Sequence, residues 1–163
     1  MKYLFLDIDG VLNHENWYKA TEHNKPINWW EEDFDPECVS RLNEILKETG
    51  ARLVISSSWR FDEKLPMYFE DMGITTDYDS TPNLNGISGH VDRGEEIARF
   101  LEDHPCDNYV ILDDDVDFTE EQMNGHFVHC CCDYIQALQE CHPMETGLTD
   151  LKMKEAISIL NGD

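Results

Sequence analysis

Residues 3–12 read Tyr-Leu-Phe-Leu-Asp-Ile-Asp-Gly-Val-Leu, and this stretch decides how the rest of the chain is read. Tyr3 to Leu6 is an unbroken apolar run, which suits a strand buried on both faces. It runs straight into Asp7 and Asp9, two carboxylates that no turn preference requires at a buried strand's end. Gly10 then allows the backbone to turn sharply away.

Two further runs repeat the pattern. Arg52 to Ser56 reads as a buried strand that ends in Ser56-Ser57-Ser58, and Tyr109 to Leu112 as one that ends in Asp113-Asp114-Asp115. His126 to Cys130 is a fourth strand candidate. Helical patterns separate them. Asp35 and Pro36 form an N-cap and first-turn pair, Val39, Leu42, Ile45 and Leu46 share one face, and Gly50 stops the helix. Glu63 to Met72, Gly94 to Glu102 and Asp150 to Leu160 read as helices, and Thr76 to His90 as a loop. Strands that are continuous apolar runs, alternating with helices, predict an α/β fold: a Rossmann-like, three-layer domain with a mostly parallel central sheet. The segment 13–35, rich in Asn, Trp and acid, reads as an irregular, flap-like insertion too short for a second core. The expectation is therefore one domain over residues 1–163 with no substantial cap domain.

Composition limits the partners. Twelve Lys and Arg against 35 Asp and Glu leave a net charge of −23, which opposes extended binding to a phosphate backbone or an anionic membrane. No apolar run reaches the ~18 residues of a membrane span, and the first residues do not form a signal peptide, so the cytoplasm is expected. There are six Cys, including Cys130-Cys131-Cys132, and no CxxC pair. In that compartment free thiols on a buried strand are the reading rather than zinc or disulfides.

Ligands of open parallel sheets bind beyond the carboxyl ends of the strands, where all three polar clusters converge. Asp7, Asp9, Asp113 and Asp114 in one crevice repel one another unless a cation intervenes, and Mg²⁺ suits a set of oxygen ligands that also receives phosphate. One aspartate can then attack phosphorus, and a second two residues on can protonate the leaving oxygen. The hydroxyl of Ser56 or Ser57 can hold phosphoryl oxygens, and Arg93, at the head of the helix before Asp113, supplies a cation. Asp113 to Asp117 does not fit an EF-hand loop, because Phe118 stands where Gly is needed and Asn124 where the terminal Glu is needed. Two flanking residues stay open: Trp59 as core, and Arg60 as a surface residue or a substrate contact. Asp117 reads as a solvated loop charge or a residue behind the metal ligands.

These four motifs, YLFLDIDGVL, VISSSWR, DRGEEI and VILDDD, resemble in order and spacing those of the haloacid dehalogenase (HAD) superfamily of phosphohydrolases, over roughly residues 1–130. The strings DIDGVLN, SSSWR, RGEEI, ILDDDVDF and GLT more narrowly resemble small capless members akin to the HAD domains of RNA-repair proteins. The resemblance implies Asp7 as nucleophile and Asp9 as general acid/base. It implies phosphate contacts from Ser57, with Ser56 as the alternative, and from Arg93. It implies Mg²⁺ held by the Asp7 carboxylate, the Asp9 carbonyl and Asp113, with Asp114 as a further ligand or close behind. The expected activity is Mg²⁺-dependent hydrolysis of phosphomonoesters through an aspartyl-phosphate. The substrate would be a small metabolite, a nucleotide or a macromolecular phosphate end. A phosphotransferase, or a catalytically silent HAD-fold binding or regulatory module, are the alternatives.

Overall fold

A computed structural model describes residues 1–14, 16–17, 34–84, 91–130 and 146–163. Five strands, β1 (Lys2–Leu6), β2 (Arg52–Ile55), β3 (Tyr78–Ser80), β4 (Asn108–Asp113) and β5 (Phe127–His129), form one sheet in the order β3-β2-β1-β4-β5. Every pairing is parallel, so the fold is α/β as the sequence predicts. Among the described residues the helices α1 (Pro36–Thr49), α2 (Leu65–Asp71), α3 (Arg93–Asp103), α4 (Glu120–Met123) and α5 (Asp150–Asn161) alternate with these strands. None of the described helices is long and apolar enough to cross a membrane.

Side chains of a strand alternate between faces, and the three central strands use both. Leu4, Leu6, Leu53, Ile55, Val110 and Leu112 join one core, completed by Leu42 and Ile45 of α1, Phe69 of α2, and Ala156 and Leu160 of α5. Tyr3, Phe5, Val54 and Ile111 join the other, against Ile97 and Phe100 of α3. Burial on both faces explains the unbroken apolar runs. The start and stop signals of α1 hold: Asp35 Oδ1 accepts from Glu37 N at 2.9 Å, and Gly50, at φ 65°, donates to Leu46 O.

Several boundaries differ from the sequence reading. Residues 78–80, read within a loop, form edge strand β3. An edge strand pairs on one side only, and Tyr-Asp-Ser carries no apolar run to announce it. The helix read as Glu63–Met72 starts at Leu65, after a 3₁₀ turn at Ser58–Phe61, because Pro66 fits only a helix's first turn. Helix α4, absent from the sequence reading, is held by a capping box between Thr119 and Gln122. Most of the 13–35 insertion, with Trp29 and Trp30, lies outside the described residues. So do Tyr134 to Gln139, Cys131 and Cys132. Among the described residues Cys38, Cys106 and Cys130 are free thiols.

One close approach sets the position of α3. A Cβ on Gly94 would stand 2.6 Å from Gln122 Oε1 and 2.9 Å from Phe118 Cα. The Gly94 amide donates to Asp117 O at 3.2 Å, and Gln122 Nε2 donates to Gly94 O at 2.9 Å. Both neighbours are fixed, one being backbone and the other committed to the capping box. Gly94→Ala is therefore expected to cost about 1–3 kcal/mol, read as a lower melting temperature. It should also slow turnover, because the next residue back is Arg93.

Candidate active site

The sheet hydrogen bonding continues past the strand ends and fixes what projects there. Asp7 N donates to Leu112 O at 2.9 Å, and Ser56 N to Leu6 O at 3.0 Å. These bonds bring Asp7, the serines and Asp113 to one edge. Arg93 joins them from the first turn of α3, where its amide donates to Asp117 Oδ2 at 3.2 Å. Its guanidinium Nη1 lies 2.5 Å from Asp113 Oδ2 and 3.1 Å from Asp7 Oδ1. Asp113 is fully buried and Asp7 nearly so.

Burial raises the Asp7 carboxyl above its ordinary range, against the pull of Arg93 and of a hydrogen bond from Ser57. Burial, and then the Asp7 charge, raises Asp113 well above its own range and pushes Asp114 up to about 6. Burial works against the Arg93 charge, but Asp7 and Asp113 outweigh it and hold the guanidinium above its usual value. Asp7, Asp113 and Asp114 each offer an oxygen within 4.8 Å of the others. A hard oxygen set, crowded and short of positive charge, fits Mg²⁺.

The three serines separate. Ser57 bonds Asp7, whereas Ser56 is fully buried with an unpartnered hydroxyl. The crevice hydroxyl is therefore Ser57. The Asp9 side chain stands outside the carboxylate trio: its oxygens accept from Asn13 Nδ2 and Trp59 Nε1, each at 2.8 Å. Trp59, read as core, does pack on Phe34 and Tyr68, but its indole N–H reaches the site. The one signal for it in the sequence is its place just beyond the serine run.

Neither reading of Arg60 survives. Its side chain is 5% exposed and pairs with the 4% exposed Glu96 at 2.6 Å. It also donates to the carbonyls of Ser56 and Ser57, at 2.6 and 3.0 Å, so it braces the backbone that carries the crevice hydroxyl. A guanidinium with these buried acceptors in reach is drawn inward. Asp117 is partly buried rather than a solvated charge: one oxygen caps the start of α3, at Arg93, and the other is buried without a partner.

A second group of ligating types, His14, Asp35 and Cys38, is closed on itself. His14 Nε2 bonds Asp35 at 2.9 Å, and its Nδ1 pairs with the Thr146 hydroxyl at 3.0 Å. Burial, with Asp35 beside it, pushes the Cys38 thiol up to about 12, so it stays neutral. This group ties the loop after β1 to α1 and to residue 146.

A parallel α/β sheet that carries DxDGxL on its central strand and paired aspartates on the adjacent strand defines a HAD-type protein. The family model for the HAD domain in Swiss Army Knife RNA repair proteins matches residues 3–139, and the chain belongs to that family. No curated protein and no solved structure matches it. At the coarse level, the family makes this a phosphohydrolase or phosphotransferase of the HAD type.

Proposed function

We propose that the chain is a Mg²⁺-dependent phosphatase that hydrolyses phosphomonoesters through a phosphorylated Asp7. The observation that carries this reading is the convergence of Asp7, Ser57, Arg93 and Asp113 at one strand edge. An Asp7 oxygen bonds to phosphorus as the bond to the leaving oxygen breaks, and Asp9 gives that oxygen its proton. Asp9, now a carboxylate, takes a proton from water. The water oxygen bonds to phosphorus, the bond to Asp7 breaks, and phosphate departs. Ser57 and Arg93 hold the phosphoryl oxygens throughout. Asp7, Asp113 and Asp114, with the Asp9 carbonyl, would hold Mg²⁺, which neutralises their charge and that of the phosphoryl group.

The substrate is a phosphorylated metabolite, a nucleotide or a macromolecular phosphate end. The family's description makes an RNA terminal phosphate the first macromolecular substrate to assay. The charge of −23 favours contact with an end over contact with a long backbone. The free thiols suit the cytoplasm, and the motifs suit one HAD-like domain over 1–163 with 13–35 as a flap.

The direct test is phosphate release from 4-nitrophenyl phosphate with and without chelator. Release is expected to need Mg²⁺ and to return when it is restored; release that ignores chelation would sink the reading. Capture of the phosphoryl group by added alcohol in place of water would instead define a phosphotransferase. Binding of phosphorylated ligands without turnover would define a silent module.

A further inference from the structure

We propose that Trp59, together with Asn13, is a positioning device for Asp9: the indole and amide N–H groups hold that carboxylate in the orientation in which it exchanges protons with the leaving oxygen. The inference rests on the hydrolysis proposed above. Asp9 is exposed and lies past the end of β1, where a free carboxylate samples several rotamers. Here both of its oxygens are held. Asn13 Nδ2 donates to Oδ1 and Trp59 Nε1 to Oδ2, each at 2.8 Å.

Both donors are themselves fixed. Asn13 Oδ1 accepts from Gly10 N at 2.9 Å. The Trp59 ring packs edge-on against Phe34 at 5.6 Å and Tyr68 at 6.0 Å. A half-buried indole can give its N–H to water, so burial does not force this bond. Each carboxylate oxygen keeps a second lone pair, which leaves room for the proton that catalysis moves. Trp59 also follows closely on Ser57, so one short turn carries both the crevice hydroxyl and the indole.

The test compares the full chain with Trp59→Phe across phosphomonoesters from 4-nitrophenyl to alkyl phosphates. The quantity read is kcat/KM, which covers the steps through departure of the alcohol. An alkyl oxygen needs the Asp9 proton, whereas 4-nitrophenolate leaves without one. The variant is expected to lose about tenfold more on the alkyl ester than on the nitrophenyl ester. A fault of packing alone would lower both equally.

Replacing Trp59 with 3-benzothienylalanine, which has the same shape but sulfur for N–H, should reproduce the selective loss with the fold intact. An equal loss across the series overturns the assignment, as does a benzothienyl variant that cleaves alkyl esters like the wild type. Turnover by the wild type with such a flat response overturns this inference alone. No turnover of any ester by the wild type overturns the hydrolysis with it.

Discussion

Asp7→Asn is expected to abolish phosphate release, by about 10⁵-fold or more, while the protein unfolds at or above the wild-type temperature in the absence of metal. The first half follows from the nucleophile role proposed for Asp7: an amide of the same shape is not a nucleophile, and removing a covalent nucleophile costs on this scale. The second half follows from the crowding. Asp7 is buried, its carboxyl is raised by that burial, and its charge in turn raises Asp113 and Asp114. Asn keeps the volume and removes one of the repelling charges, while Arg93 keeps its 2.5 Å contact with Asp113. The two readings come from phosphate release and a thermal melt on one preparation. Residual turnover near wild type would remove Asp7 from the chemistry. A large drop in melting temperature would show that its charge stabilises the fold.

Arg93→Met is expected to lower turnover by about 10²–10³-fold, the scale for deleting a fixed group that stabilises charge in the transition state. Unlike Asp7→Asn, it also leaves buried carboxylates without their cation. Arg93 pulls the carboxyls of Asp7, Asp113 and Asp114 downward. The variant should therefore melt lower than wild type without metal and recover part of the difference in Mg²⁺, since a ligand that binds only the folded state stabilises it. Steady-state kinetics and melts with and without Mg²⁺ test this. Arg93→Lys should fall between the two, because a point charge cannot reproduce the guanidinium's shape. Unchanged kinetics in the Met variant would remove Arg93 from the chemistry and leave it as the ion-pair partner of Asp7 and Asp113.

Much of this site is legible in the linear chain because buried parallel strands must be apolar throughout. The first Asp after Phe5 and Leu6, the serines after Ile55 and the aspartates after Leu112 therefore mark strand ends by contrast alone. The caps of α1 are equally local, since Asp35 and Gly50 act on the backbone within a few residues. Edge strand β3 and the four-residue α4 are not legible, because neither buries an apolar run long enough to show a period.

What the amino-acid order determined by itself was therefore the alternation of elements, and which side-chain types stand at the carboxyl edge. The tertiary structure alone decided which member of each cluster faces the crevice. In a run of three serines, a one-residue slip reverses inward and outward, so only the pairing of Ser56 N with Leu6 O assigns the crevice hydroxyl to Ser57. Trp59 and Arg60 are neighbours in the chain, yet the 3₁₀ turn sends the indole to Asp9 and the guanidinium to buried Glu96. Those partners lie 50 and 36 residues away. Short-range propensity carries no information at that separation; the packing of the 3₁₀ turn between the loop after β1 and helix α3 supplies it.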